Sequence, residues 1–593
     1  MADHRLGGTL TVITRQHYDD PRWRAKTARS TGAREFRQVM KRLERKGTPA
    51  FVQERMAAKT GRKRVVSWAA FIRLCTLAAF HSEATFHLVD VMHVADGLTP
   101  SQRREVGFTR CDYHHVEYAF KTLANAGDER ICLGNGEVKN PRLQMSLDDF
   151  IIRLIETPEV APTSRQALDG TLIETHARRR SWAKHAKADY EKTDDYLVPG
   201  DLEGAPKVSN TAGFPRVSAD GTLIHSVDHD ARDQVQTGKN LSPGNIRLGY
   251  EAHFLVDSRE AGSDLHAPPV IRVLHLAPGS THRGIAGIES LDGMRRVLGR
   301  TPDEVMVDRG YSNAKAEHWA APLFERGLRQ VFDLHPNNRG VAPGPIKGTR
   351  WRDGLLLVSD KVTKHDVVST RSPLESHEVK EKRAEAVAKR HAFAFGFEDW
   401  NPERGTVRLV GPAVRGQVRC VNHPASMRLK AVKQHSRGGR RITRPTTNHV
   451  RGDDCACGKT KVVPIPDVIR FYQPYVWGSP EWERAYGARN LSETANSNFK
   501  DHHGRFAKGS IKVLGRNKIA LALAFFVDAV NTRLIISMPT DFFERWTGSA
   551  DPYLPDPDDR AWTDPNHQPP ATRAGPATGA PNTWPATLES ITT

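Results

Sequence analysis

The chain has 593 residues, 38% of them hydrophobic, and carries 87 Lys and Arg against 69 Asp and Glu, a net charge of +18. That is enough chain for several domains with a sizeable core, and the basic excess points to a polyanionic partner, most simply nucleic acid. Six Cys exclude a disulfide scaffold, and the longest apolar run, Ile519 to Val530, is cut by Asp528 and falls short of the ~18 residues of a membrane helix; with no signal-peptide core at the N-terminus, a cytoplasmic protein without a membrane partner is expected.

Residues 1–64 hold 17 Lys and Arg against 6 acids and read as a basic N-terminal arm lying on phosphates, or else as the solvated surface of a helix. Among its cations are Arg22, Arg24, Arg42, Arg45, Lys46, Arg62, Lys63 and Arg64. Residues 65–158 read as a helical domain, suited to holding a DNA end or to a plain bundle. Within it Ser146 is a good N-cap ahead of Phe150, Ile151, Leu154 and Ile155 on one face.

After Pro162 the pattern changes to alternating strands and helices. Gln166 to His176 is predicted as a strand. Tyr250 to Val256 and Val270 to Leu276 are predicted as a hairpin, Ile285 to Val297 as a helix and Glu304 to Val307 as a strand. Asn313 to Arg326 is predicted as a helix and Gln330 to Leu334 as a strand. This order gives an α/β fold with a mixed sheet over 159–334. Residues 335–478 read as an insertion of short strands with basic clusters at Lys382 to Arg390 and Lys430 to Arg444. Residues 479–540 resume as helix, with Arg516 to Leu534 apolar enough that it must be buried. The tail, 541–593, is rich in Pro and acidic residues, a composition that does not build a core.

The sharpest local signal is Tyr486-x2-Arg489-x3-Glu493-x6-Lys500. On one continuous helix these four side chains fall within an arc of roughly 60°. Ala488, Leu491, Ala495 and Phe499 lie opposite. A carboxylate between two cations and a phenol suits a site for a metal and a phosphate; the plainer reading is an exposed face with one ion pair. A second signal is Val305-Met306-Val307-Asp308-Arg309-Gly310-Tyr311, a short apolar strand ending in an acid and a sharp turn. Asp-Gly-Thr-Leu-Ile occurs twice. The copy at Asp169 lies near the start of the first core strand. The copy at Asp220 has the setting of a hairpin turn, and Asp228 and Asp230 read as loop or supporting acids.

The motif at 486–500 resembles the signature of the DDE transposases of bacterial insertion sequences, in the group whose third catalytic acid sits in Y-x2-R-x3-E-x6-K. The Asp-Arg-Gly-Tyr junction and an Asp-Gly-Thr at this point of the chain are similar to that family too. The resemblance covers about 160 to 540. It implies a ribonuclease H-like core with a helical N-terminal domain and a largely β insertion before the Glu helix. It implies Asp169, Asp308 and Glu493 as catalytic acids holding Mg²⁺ or Mn²⁺, with Tyr486, Arg489 and Lys500 positioning DNA. The activity implied is two-metal phosphoryl transfer at terminal inverted repeats, with 3′ ends joined to target DNA, by a homodimer on paired ends in a bacterial, nucleoid-associated setting. A nuclease without strand transfer, or a domesticated chain that only binds DNA, are the alternatives. Tyr475, Trp477 and Trp482 are aromatic candidates for stacking a flipped base, or ordinary core residues. Finally, Cys420-x2-His423 and Cys455-x-Cys457 offer four ligands for a structural Zn²⁺.

Overall fold

A computed structural model describes residues 18, 20–58, 64–82, 84–127, 142–179, 216–217, 223–224, 226–235, 246–259, 267–358, 376–434 and 441–538. The expectations for Arg62, Lys63, Asp220 and the tail lie outside these residues. The short strands Arg216–Val217 and Leu223–Ile224 pair antiparallel.

The chain is mixed α/β around a six-stranded sheet. Its strands are β1 (Arg165–Glu174), β2 (Arg232–Val235), β3 (Ile246–Asp257), β4 (Ile271–Pro278), β5 (Glu304–Val307) and β6 (Arg329–Phe332). The helices used below are α1 (Ala33–Lys46), α2 (Thr48–Met56), α3 (Trp68–His81), α4 (Leu147–Ile155), α5 (Arg283–Leu298), α6 (Arg309–Ser312), α7 (Pro480–Gly487), α8 (Asn490–Ser497) and α9 (Arg516–Ser537). β1 lies between β3, antiparallel to it, and β5, parallel to it; β6 continues parallel beyond β5. On its other edge β3 pairs with β2 at Ile246–Gly249 and with β4 at Tyr250–Val256, both antiparallel. The predicted strands and hairpin partner are therefore present. The predicted helix over 313–326 is instead a broken run, a 3₁₀ turn at Ala316–His318 followed by Ala320–Glu325.

Helices cover both faces of the sheet. On one, Ile173, Tyr250, Phe254 and Val256 join a core with α1, α2, α3, α4 and α9. On the other, Leu168, Leu255 and Val307 pack with Leu291 and Met294 of α5 and with the insertion. α4 begins as its sequence predicts, with Ser146 Oγ accepting from Asp149 N at 3.1 Å. Among the described residues, α9 alone is long and apolar enough to cross a bilayer, but 83% of its apolar window is buried inside the protein. Its first N–H groups, which have no partner within the helix, are taken up by two acids: Gly515 N donates to Asp228 and Arg516 N to Asp230. Asp228 also accepts from Thr175 and Tyr250. These two acids hold the end of a core helix.

The reading of 1–64 as an arm needs correction over its helical part. Phe36, Val39, Met40 and Leu43 recur at helical spacing and are buried, so α1 is an amphipathic core helix. Arg42 bonds Glu159 and Asp528, and Lys46 bonds Asp528 of α9, all buried. Arg24 pairs with Asp96 and Asp112, and Arg64 lies over the Trp68 ring. Arg42 and Lys46 are thus tied into the fold and closed to phosphate.

The insertion, predicted as largely β, mixes short strands with the helices His377–His391, Pro424–Met427 and Ile465–Ile469. Among its described residues it holds three small antiparallel sheets: Val341–Pro343, Thr349–Arg352 and Leu355–Val358; Gly396–Asn401, Thr406–Val410 and Thr460–Pro464; and Val432–Gln434 with Arg441–Thr443. The Lys382 to Arg390 cluster lies on the helix His377–His391.

Candidate active site and Cys/His cluster

Two of the three predicted acids meet because of strand register. Leu168 of β1 is the partner of Val307 of β5 in the parallel ladder, so the next residue on each strand, Asp169 and Asp308, stand side by side where β5 ends. Asp308 is the N-cap of α6, its Oδ1 accepting from Gly310 N and Tyr311 N at 2.8 and 3.3 Å. The rest of the Asp-Arg-Gly-Tyr junction fixes that corner. Arg309 pairs with Asp333. Tyr311 is buried, with its hydroxyl 2.7 Å from His253 Nδ1. A Cβ at Gly310 would come within 2.6 Å of the Arg283 guanidinium, so glycine permits that close approach.

The signature segment is not the single helix that its sequence suggests. α7 ends at Gly487, α8 starts at Asn490, and a π-helical turn over Asn498–His502 follows. Tyr486, Arg489 and Glu493 nevertheless stay together. Arg489 lies over the Tyr486 ring at 5.7 Å and pairs with Glu493. Ala495 and Phe499 are buried on the Phe254 face of the sheet. Asn496 Nδ2 donates to Asp169 Oδ2 at 3.0 Å, which lays α8 across β1 beside the first acid. Lys500 is half-buried; burial depresses its pKa while the charge of Asp169 opposes that shift. Glu493 is 58% exposed and its carboxylate rests on Arg489. Among the described residues, the three acids are not one of the groups whose ligand atoms all lie within 4.8 Å of one another.

Three residues of this site escaped the sequence reading. Asn496 is one. Glu251 and Arg283 are the others: Arg283, at the start of α5, places Nε 2.8 Å from buried Glu251 and Nη1 3.4 Å from Asp308. Glu251 lies so close to β1 that a Cβ at Gly170 would meet its carboxylate at 2.3 Å. An open groove beside Asp169 is lined by Gly170, Thr171, Arg283, Lys500, Phe506 and Lys508.

Charge crowding has a measurable consequence. Burial, and next the charge of Asp308, push the Asp169 carboxyl up to about 6 from its ordinary 3.8. A carboxyl raised in the folded state binds its proton more tightly there than in the unfolded chain, so its contribution to stability is lost as pH rises from about 4 to about 6. Without divalent ions, the Asp169 contribution to stability should fall across that window by on the order of 2–3 kcal/mol. Asp169→Asn should flatten the fall; urea titrations at successive pH values check this.

The insertion gathers Cys420, His449, Cys455 and Cys457 into one buried cluster with metal-ligand spacing, compatible with a structural zinc. The sequence pattern supplied three of these and the wrong histidine. His423 stands at the start of the short helix Pro424–Met427 with its ring against Gly458. His449 arrives because residues 445–447 run alongside Arg419: Arg419 N donates to Pro445 O and Thr447 N to Arg419 O.

The aromatic candidates sit in core surroundings. Trp482 is buried, donates to Phe332 O at 3.0 Å and stacks on Tyr486. Trp477 is buried and donates to Asp333 at 2.8 Å. The Tyr475 hydroxyl lies between Arg165 and Glu304. They hold the chain entering the signature segment against β5 and β6. No protein-family model and no curated protein matches this chain.

Proposed function

We propose that the chain is a DDE-type DNA transposase that cleaves DNA at the terminal inverted repeats of its element and transfers the 3′ ends to target DNA, acting as two copies on paired ends. The observation that carries this reading is the register that sets Asp169 beside Asp308, with Asn496 bonded to Asp169 and the charges of Arg489 and Lys500 close to it. The strand order supports a ribonuclease H-like core: three antiparallel strands, β1, β3 and β4, with β5 and β6 added parallel to β1 on its other side.

The two acids suit a divalent cation. Each lends hard oxygen ligands, and burial, and next the charge of Asp308, drive the Asp169 carboxyl toward its protonated form; a bound cation would oppose both. Asp169 and Asp308 would hold Mg²⁺ or Mn²⁺, joined by Glu493 when it leaves Arg489. Bound there, such ions activate water or a 3′-hydroxyl and stabilise the leaving oxygen of a phosphodiester. The protein's own residues do the placing. Asn496 fixes one oxygen of Asp169, and Gly170 N donates to the other at 2.9 Å. Arg283, anchored on Glu251, limits the charge at Asp308. Arg489 and Lys500 flank the acids as cations for the scissile strand, and the groove past Lys508 gives the strand a path.

The test is single-turnover cleavage of an end duplex at saturating Mg²⁺ and protein. Arg489→Gln and Lys500→Gln keep all the carboxylates but misplace the strand, so each should slow cleavage by about 10²-fold. Tyr486→Phe should have a smaller effect, since its ring still supports Arg489. Wild-type rates in both cation variants would reduce this face to a solvated surface.

A further inference from the structure

We infer that Cys420, His449, Cys455 and Cys457 bind one Zn²⁺ through three thiolates and the Nδ1 of the imidazole, and that this ion closes the base of the 421–448 excursion. The spacing of the ligand atoms is the evidence. Zn–S bonds of about 2.3 Å and Zn–N bonds of about 2.0–2.1 Å give a tetrahedron with S–S edges of about 3.8 Å and S–N edges of about 3.6 Å. Cys420 Sγ lies 3.7 Å from Cys455 Sγ and 3.6 Å from His449 Nδ1, and Cys457 Sγ lies 3.4 Å from His449 Nδ1. These three of the six edges match a coordination tetrahedron around a zinc-sized ion, and all the ligand atoms lie within 4.8 Å of one another.

Other accounts of the cluster fit less well. A disulfide needs sulfurs about 2.05 Å apart and leaves one thiol over, whereas all three of these cysteines are free. Ordinary core packing explains buried thiols but gives no reason for an imidazole nitrogen to face two sulfurs. Three soft thiolates with one imidazole in a tetrahedron select zinc over magnesium or calcium. Outside the four ligands, Asn422 completes the setting. Its side-chain amide donates to Val450 O and approaches Cys455 Sγ, while its Oδ1 accepts from Gly452 N. It ties the turn after Cys420 to the loop that carries His449 and Cys455, as outer hydrogen bonds do around structural metals.

The position in the chain says what the ion does. Between Cys420 and His449 the chain leaves as the Pro424–Met427 helix and the Val432–Gln434/Arg441–Thr443 hairpin, whose flanks are basic and contain no acid from 424 to 444. After Cys457 it enters the strand Thr460–Pro464, the edge of the sheet with Thr406–Val410. The ion therefore joins both ends of the basic hairpin to the small sheet at its root. Nothing in this depends on the proposed transposase activity.

The experiment is elemental analysis of the full-length protein, purified without chelator and then equilibrated with equimolar Zn²⁺ and desalted. About one zinc per chain is expected, bound tightly enough to survive desalting. His449→Ala and the double variant Cys455→Ser/Cys457→Ser should lose it, and His423→Ala should keep it. Because the cysteine variant also removes core side chains, the wild-type protein supplies a second readout. Titration with an organomercurial should release zinc, detected by a chromophoric chelator, as the three thiols react. A Co²⁺-exchanged sample should show thiolate-to-metal charge transfer and tetrahedral d–d bands. A folded wild-type chain that neither contains nor takes up zinc overturns the inference. So does zinc that is lost in His423→Ala but retained in His449→Ala.

Discussion

Asp169→Asn and Asp308→Asn should each abolish Mg²⁺-dependent cleavage of an element-end duplex, by at least about 10²-fold, while duplex affinity stays near wild type. The separation of the two effects follows from geometry. The acids sit in a small corner where β1 and β5 run in parallel, whereas affinity for a duplex comes from many phosphate contacts spread over the surface. Asparagine is the informative replacement at 308. It keeps an oxygen to cap α6 at Gly310 and Tyr311, so lost activity reports lost charge and not a frayed helix, whose uncapping alone costs about 1 kcal/mol. Rates come from gel-resolved single turnovers and affinities from fluorescence anisotropy. Normal cleavage in Asp169→Asn with loss in Asp220→Asn would move the first acid to the other Asp-Gly-Thr.

The largest effect on stability should come from Asp528→Ala. This carboxylate is fully buried in α9 and receives Lys46 and Arg42 of α1, while Arg42 also reaches Glu159. Burial depresses the Lys46 pKa, with Asp528 working against that shift. Removing one partner of such a cluster leaves a buried cation without its counter-charge, at a cost of about 3–5 kcal/mol. Lys46→Met together with Asp528→Ala should recover much of the loss, because neither charge is then stranded. The midpoint and slope of urea unfolding give both values. A single-variant loss below about 1 kcal/mol would mean that water reaches the cluster.

How far the sequence could be read depended on whether a signal was local. The strand Glu304–Val307 and the acid after it are written in five consecutive residues. The buried character of α9 is written in its apolar run, although Asp528, which seemed only to interrupt that run, is the point where α1 attaches. In α1 the six cations outnumber Phe36, Val39, Met40 and Leu43, so its charge hides an apolar spacing that marks a core helix. The break at Ala488 and Arg489 has no Pro or strong cap to announce it. Glu251 sits in a strand buried along nearly its whole length, where alternation gives no cue to which side chains matter. Its role depends on Arg283, 32 residues later in the chain and packed on the same face. His449 was out of reach for a related reason. Only the pairing of residues 445–447 with Arg419 brings it to Cys420, whereas His423 had the shorter and more familiar spacing.

The most direct test of the central claim is strand transfer itself. Purified protein, Mg²⁺, a supercoiled target plasmid and a duplex bearing one of the short inverted repeats expected to flank the gene are incubated, and the junctions are sequenced. The account predicts 3′ ends of the repeat joined covalently to target DNA, flanked by a short target duplication after repair, and no junctions with Asp308→Asn. Cleavage without joining, or junctions formed equally well by Asp308→Asn, would contradict it.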